Sequence, residues 1–317
     1  MMITKEATLN SKAIAIVCVM VGHLISSNKT DLPAYLQEFA TFSVGVFLFL
    51  SGYGLTKSFQ KNGLDNFLSK KFLSVYVPFV IATLITSLYR GFYDTDPAYI
   101  LYTITYLSAD LKIDPTMWFI YFISIWYICF YVIFSAFKSN YLRVASLLAV
   151  SIALSFFPLK SYSYVLHSMF SLHAFTFPLG VLVALYVNAN KKQTLLISAV
   201  SAFAFVCVFY GIAQHYAVHA VMVASMLFSV ALPSLLSYFN IRNRVFAFLG
   251  AYSYEIYLFE GIFRWNNFSQ NKITNAALFF ITALTLAYSL KPVFRMAQEL
   301  ISRNTKLIAG RLKKSRS

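Results

Sequence analysis

The sequence predicts an all-α membrane protein, a polytopic bundle of about ten transmembrane helices with both termini in the cytoplasm. Three observations predict this fold class. Hydrophobic residues make up 59% of the 317-residue chain and charged residues only 12%, whereas soluble domains carry about 25% charged residues. Apolar segments of membrane-spanning length recur along the whole chain. Basic residues collect in every second loop, which is the pattern of cytoplasmic loops.

Ten apolar segments approach the roughly 20 residues that a helix needs to cross the hydrocarbon core. Several are joined by short loops, so we predict one integral-membrane domain over residues 1–317 that ends in a short basic cytoplasmic tail at about 292–317. The segments lie at about 11–28, 39–56, 72–90, 116–137, 142–158, 169–188, 194–212, 217–238, 245–263 and 273–291.

The net charge of +15 would suggest a nucleic-acid partner in a soluble protein. Here the basic residues lie between apolar segments, so the positive-inside rule explains them and membrane lipids are the expected partners. We therefore expect no nucleic-acid partner.

The longest outer loop, at about 91–115, is acidic and is placed to cover part of the outer mouth of the bundle.

The first segment, "LNSKAIAIVCVMVGHLISS", carries Lys12 and His23. Eleven residues at about 100° each return a helix to within about 20° of its start, so both side chains lie on one face, about 16 Å apart along the axis. Lys12 would lie at the cytoplasmic edge, either as a snorkelling lysine or as a phosphate ligand. His23 would lie in the outer half, either as a helix-bridging hydrogen bond or as a general base.

The ninth segment, "LGAYSYEIYLFEGIFRW", places Ser253, Tyr257 and Glu260 on one helix face at i, i+4 and i+7. Glu260 is expected at the depth of His23. Two partners are open to it: Arg264, one turn further along the helix, or His23, which it would orient. A buried carboxylate is costly, so one of the two must accompany it.

A basic rim is expected on the cytoplasmic side with Lys12, where Lys57, Lys61, Lys70 and Lys71 surround the second loop. As single residues these lysines are explained by the positive-inside rule. As a group they suit a polyanion such as the phosphates of a nucleotide cofactor, with lysine acting as a point charge.

On the outer side, Trp118 is either an interface aromatic or part of an aromatic wall for a sugar. His167, His173, His215 and His219 are expected toward the same side. His215 and His219 have i, i+4 spacing but no evident third ligand, so we expect no metal site.

These motifs, taken in order, resemble the acyltransferase-3 family of integral-membrane O-acyltransferases. The family opens with a basic residue, ten intervening residues and a histidine, as Lys12 and His23 do here, with lysine where arginine is usual. Three further elements match "FLFLSGYGL", "KKFLSVYVP" and Trp118-Phe119, and a late element matches "GAYSYEIYL". Glu260 stands where the family often has a histidine.

The resemblance implies a multi-pass enzyme of the bacterial plasma (inner) membrane that moves an acyl group, usually acetyl, from acyl-CoA to a hydroxyl of a cell-surface polysaccharide or lipid-linked sugar. On this interpretation acetyl-CoA is the donor and no metal takes part. The expected roles are His23 and Glu260 in catalysis, Lys12, Lys70 and Lys71 in CoA binding, and Trp118, Tyr257 and Ser253 in acceptor binding.

A transporter or flippase for a glycan or lipid precursor is the alternative, because it too would have many helices, a basic mouth and buried ionisable groups. Many transporters are built from internal repeats, and the sequence shows none by inspection. The identity of the acceptor and the oligomeric state, including a homo-oligomer, are left open by the sequence.

Overall fold

The computed structural model describes residues 3–108, 111–156, 164–214, 217–264 and 266–314, with side chains described outside 164–167 and 304–314. The regular structure in these residues is helical throughout. The helices are α1 Lys5–Ser26, α2 Glu38–Asn62, α3 Phe67–Tyr89, α4 Trp118–Ala136, α5 Asn140–Phe156, α6 Tyr164–His173, α7 Thr176–Tyr186, α8 Lys191–Gln214, α9 Val218–Phe239, α10 Arg244–Phe263 and α11 Lys272–Lys314. Short helical turns lie at Ala34–Gln37, Phe92–Thr95, Pro97–Ile104 and Pro115–Met117.

The predicted fold class is confirmed. Within the described residues, eight helical spans are long and apolar enough to cross a membrane, and one of them, Ser168–Tyr186, combines parts of α6 and α7. The apolar helix α5 is shorter. Each of the ten predicted segments coincides with helix in the structure. The orientation of the two ends across the membrane stays a prediction.

The predicted segment at 169–188 is two helices, α6 and α7, with a break at residues 174 and 175. Pro178 causes the break, since it has no N–H with which to bond the carbonyl of Ala174, four residues earlier. That carbonyl accepts a hydrogen bond from Ser151 Oγ on α5, at 2.9 Å. The neighbouring helix therefore satisfies the backbone group that the proline leaves free.

Two helix ends differ from the prediction. The first helix begins at Lys5, because the Thr4 side chain caps it by accepting a hydrogen bond from the Ala7 amide at 3.1 Å. Lys12 lies inside α1. Helix α11 continues past residue 291 through the predicted basic tail, as far as Lys314.

Helix α2 packs closely on α7 because each helix offers a glycine to the backbone of the other. A Cβ on Gly52 would clash with the carbonyl of Phe177, and a Cβ on Gly180 would clash with the carbonyl of Phe49. Small residues allow membrane helices to approach in this way. Gly52 thus serves the close packing of α2 on α7, whereas Gly54 faces open space.

Helix α1 packs against α10 in a parallel arrangement. Near the start of both helices, a Cβ on Gly250 would clash with the carbonyl of Leu9. Further along both helices, His23 contacts Glu260. Because both contacts follow the same order along α1 and α10, the two helices run side by side in one direction and carry these ionisable groups to the same depth.

We expect Gly52→Ala to lower the free energy of unfolding by about 1–3 kcal/mol, because the added methyl group overpacks the contact with α7. Gly54→Ala is the matched control. It adds the same methyl group to the same helix, where nothing lies within 4 Å. Thermal unfolding in detergent measures both. Equal unfolding temperatures for the two variants would contradict the packing role assigned to Gly52.

Candidate active site

The centre of the candidate site is a contact between an imidazole and a buried carboxylate. His23 Nδ1 lies 2.7 Å from Glu260 Oε1; the histidine side chain is 20% exposed and the glutamate side chain is fully buried. A buried carboxylate requires a partner, and the structure provides His23. Arg264, the other predicted partner, donates a hydrogen bond from Nη2 to Ser26 Oγ at 2.8 Å.

His23 lies in the last turn of α1. Its carbonyl accepts hydrogen bonds from the backbone amide of Ser27 and the hydroxyl of Ser26, both at 3.1 Å. The C-terminal end of a helix favours a positive charge, and the Glu260 carboxylate lies at Nδ1. Nε2 is the ring nitrogen that is not in this contact.

A cavity of about 230 Å³ lies against the same face of α1. Lys12 and Val19 form its wall on α1, and Ser253 and Tyr257 form its wall on α10. Val19 is one turn before His23, and Tyr257 is one turn before Glu260. The cavity therefore extends from Lys12 along two helices to the level just below the His23–Glu260 contact.

The cavity walls are mainly apolar and aromatic, with hydroxyl groups at intervals. Their apolar part includes Val44, Phe47, Phe119 and Ile123. Tyr254 also lines the cavity and donates a hydrogen bond to the carbonyl of Val75 at 2.7 Å, next to the π-helical turn of α3. An elongated, mostly apolar space with few polar groups suits a flexible uncharged chain.

The predicted cations divide into two groups. Lys71 Nζ lies 4.5 Å from the centre of the Tyr127 ring, which lines the cavity, and Lys71 interacts electrostatically with Lys12. Lys70 Nζ instead donates to the carbonyl of Asp65 at 3.2 Å on the exposed surface. Lys12 and Lys71 are thus brought together at the cavity, and Lys70 lies outside its wall.

The second acid of α10, Glu255, has a different partner. Its Oε1 lies 3.0 Å from Lys291 Nζ. The same ammonium group donates to the carbonyl of Ala251 at 2.7 Å and lies 3.9 Å from the centre of the Tyr252 ring. Glu255 is therefore paired with α11, and its charge also acts on Lys12 at the cavity wall.

Trp118 does not line the cavity, although Phe119 beside it does. The Trp118 ring stacks on His173, with ring centres 5.6 Å apart and planes 14° apart. His173 is fully buried, and His219 is exposed. His215 and the side chain of His167 lie outside the described residues, so the expected placement of the four histidines toward one side stays a prediction.

Asp114, at the end of the acidic loop at about 91–115, also lies at the candidate site, although no sequence motif singles it out. It is 3% exposed, and its Oδ1 accepts hydrogen bonds from Thr116 N at 2.9 Å and Thr116 Oγ1 at 2.7 Å. Its carboxylate lies against Gly261, where a Cβ would clash with it. Gly261 directly follows Glu260, so Asp114 is brought next to the His23–Glu260 contact.

The side chains of Tyr257 and Arg90 hold the segment around Asp114 on the bundle. Tyr257 donates its hydroxyl to the carbonyl of Thr116. Arg90, after the end of α3, donates from Nη1 to the carbonyls of Lys112 at 2.7 Å and Ile113 at 2.6 Å. The end of the long loop at about 91–115 is therefore fixed over α10.

Burial and the neighbouring charge of Glu260 raise the pKa of Asp114 to about 6. The hydrogen bonds from Thr116 and the charge of His23 act in the opposite direction and lower the pKa. Burial penalises the charged form of a carboxyl group, and a like charge adds to that penalty. Ionising Asp114 is thus costly, and at neutral pH the folded protein bears that cost.

We expect Asp114→Asn to change how stability depends on pH. A carboxyl group whose pKa is higher in the folded state than its ordinary 3.8 stabilises the fold at low pH, and this contribution is lost as the pH rises through about 6. The asparagine variant should therefore gain thermal stability relative to the native protein between pH 4.5 and pH 8. A constant difference in unfolding temperature over this range would contradict the assignment.

Comparison with known proteins agrees with the architecture and the motifs. The family model described as Acyltransferase domain matches residues 10–291, which include most of α1, all of α10 and every residue of the candidate site. Searches of curated proteins and of solved structures gave no significant match. Because the match covers most of the chain, this multi-helix membrane protein belongs to the acyltransferase-3 family.

Proposed function

We propose that the protein is a membrane O-acyltransferase that moves an acyl group, in the first instance acetyl, from acyl-CoA to a hydroxyl of a cell-surface polysaccharide or lipid-linked sugar. The observation that carries the proposal is the His23–Glu260 contact of 2.7 Å beyond the far end of a cavity that begins at Lys12. Membership of the acyltransferase-3 family supports the reaction class. The plasma membrane of a bacterium is the proposed location, with both termini in the cytoplasm.

The donor would enter from the cytoplasmic side. Lys12 and Lys71 are close to each other at the cavity, and lysine ammonium groups bind phosphates as point charges. Lys70, on the nearby surface, would add to this positive field. The pantetheine arm is linear and uncharged, which suits the apolar walls near Val19 and Phe119. Its thioester would then lie near His23.

In the proposed reaction, His23 Nε2 removes the proton from the acceptor hydroxyl, and the hydroxyl oxygen attacks the thioester carbonyl. The carbon–sulfur bond breaks, and the imidazolium returns its proton to the CoA thiolate. Glu260, held at Nδ1, fixes the ring orientation and stabilises the imidazolium in between. A transient acyl-histidine is the second route. Nε2 attacks the thioester carbonyl, and the carbon–sulfur bond breaks to release the CoA thiolate. The acceptor hydroxyl then attacks the acyl-histidine, which frees His23, and the hydroxyl proton ends on the CoA thiolate.

Tyr257 and Ser253 would bound the reaction space, since both line the cavity below the Glu260 carboxylate. The Ser253 hydroxyl donates to the carbonyl of Gly250 at 3.0 Å, so its oxygen is presented in a fixed position. Trp118 would act from behind the wall, next to Phe119, rather than by direct contact with the cavity.

We expect His23→Ala to reduce acyl transfer by about 10²- to 10⁴-fold, the usual contribution of a general base. Membranes that contain equal amounts of each variant are supplied with radiolabelled acetyl-CoA, and label is measured in the glycan and lipid fractions. His219→Ala, which changes an exposed histidine, is the matched control. Equal labelling with the native protein and His23→Ala would remove His23 from the chemistry.

We expect Lys12→Gln to raise the KM for acyl-CoA about tenfold or more, because it removes a charge that would bind phosphate in a partly dehydrated place. Lys61→Gln removes an exposed lysine from the same side of the protein and should leave the KM unchanged. Initial rates at varied acetyl-CoA concentration measure both. An unchanged KM for Lys12→Gln would place the phosphates elsewhere.

A further inference from the structure

The reaction proposed above uses His23 and Glu260 but gives no role to Asp114, which is the third ionisable group at this place. The following inference rests on the proposed function and extends it. Asp114 is buried, it belongs to an outer loop rather than to a spanning helix, and its carboxylate nevertheless lies directly on α10. An arrangement of this kind requires a physical explanation.

The position of Asp114 is fixed from both sides. Gly261 provides the space for its carboxylate, and Tyr257, one turn earlier on α10, bonds the carbonyl of Thr116. On the other side Arg90 bonds the carbonyl of Ile113 at 2.6 Å. These contacts hold the backbone on both sides of Asp114, and its carboxylate cannot turn toward water without losing the hydrogen bonds from Thr116.

The charges around Asp114 do not compensate it fully. Oδ1 is bonded by Thr116, whereas the buried Oδ2 has no hydrogen-bond partner among the described residues. The titratable groups that face it are Glu260 and Tyr257 on α10 and His23 on α1. Arg90 bonds backbone carbonyls instead of the carboxylate.

Two carboxylates therefore accompany one imidazole. Burying the Asp114 carboxylate is unfavourable, since it is repelled by Glu260 and loses its hydration. A costly arrangement that is held in place by specific contacts is typical of functional sites. Repulsion from Asp114 favours a Glu260 carboxylate that is directed at His23, whose Nδ1 lies 2.7 Å away.

We propose that Asp114 is a positioning residue that acts on His23 through Glu260. Its carboxylate keeps the Glu260 side chain directed at His23 Nδ1, and its negative charge strengthens His23 as a base. Asp114 does not contact the reacting atoms in this proposal.

The first test is Asp114→Asn, which keeps the shape of the side chain and the oxygen that Thr116 bonds but removes the charge. We expect kcat for acyl transfer to fall about tenfold while the KM for acyl-CoA changes less than about twofold. The acidic limb of the rate–pH profile should move to lower pH, because His23 gives up its proton more readily once a negative charge is gone. Asp94→Asn removes an exposed carboxylate from the same loop and should change neither quantity.

A second measurement does not depend on acyl transfer. Diethylpyrocarbonate modifies neutral imidazoles, and mass spectrometry of the peptide that contains His23 follows its modification as a function of pH. We expect the midpoint for His23 to move to lower pH in Asp114→Asn and not in Asp94→Asn. If this shift is seen while the native protein transfers no acetyl group, the proposed function fails and the link between Asp114 and His23 stands.

Gly261→Ala provides an independent variant in which Asp114 remains but its carboxylate is displaced by the added methyl group. We expect it to lower kcat and to move the His23 midpoint in the same direction as Asp114→Asn. Gly54→Ala, where nothing lies within 4 Å, is the matched control. Native values of kcat and of the His23 midpoint in both Asp114→Asn and Gly261→Ala would overturn the proposal.

Discussion

The contact between His23 and Glu260 is the constraint on which the arrangement of the bundle depends. A carboxylate with no exposed surface inside a membrane protein needs a partner at its own depth. The parallel packing of α1 and α10 meets this requirement because Gly250 lets the backbone at Leu9 approach closely. The small residue that sets the helix spacing thus also makes the electrostatic contact feasible, which links packing directly to the chemistry of the site.

The sequence predicts the parts of this arrangement that depend on one helix at a time. Hydropathy locates the spanning segments, and the period of 3.6 residues places Lys12 and His23 on one face. Contacts between a helix and a distant loop are harder to predict from the sequence. The place of Asp114 at the site could not be predicted, because it depends on how the outer loop folds back onto α10. The two available signals are an aspartate before Pro115 and a glycine after Glu260, and both occur in many proteins that have no such contact. The break before α7 was missed because Pro178 lies within a continuous apolar run.

Stability and function make opposite demands at this site. At neutral pH the buried carboxyl group of Asp114 bears a cost that asparagine would avoid, because its pKa is raised to about 6. Natural proteins commonly retain such costs where activity benefits from them. The contacts made by Tyr257 and Arg90 hold the segment in place against that cost. In this interpretation the outer loop is part of the site's electrostatics as well as its cover.

The division of charge along α1 has a consequence for the proposed reaction. Lys12 and His23 are separated by about 16 Å along the helix, roughly half of a hydrocarbon core of about 30 Å. The cavity that begins at Lys12 follows the same face and reaches the level of Val19, one turn before the histidine. A donor whose phosphates stay at Lys12 would therefore need to extend only its uncharged arm into the bundle. Neither the polyanionic donor nor a large hydrophilic acceptor would have to cross the membrane, because the acyl group alone would pass from one side of the site to the other.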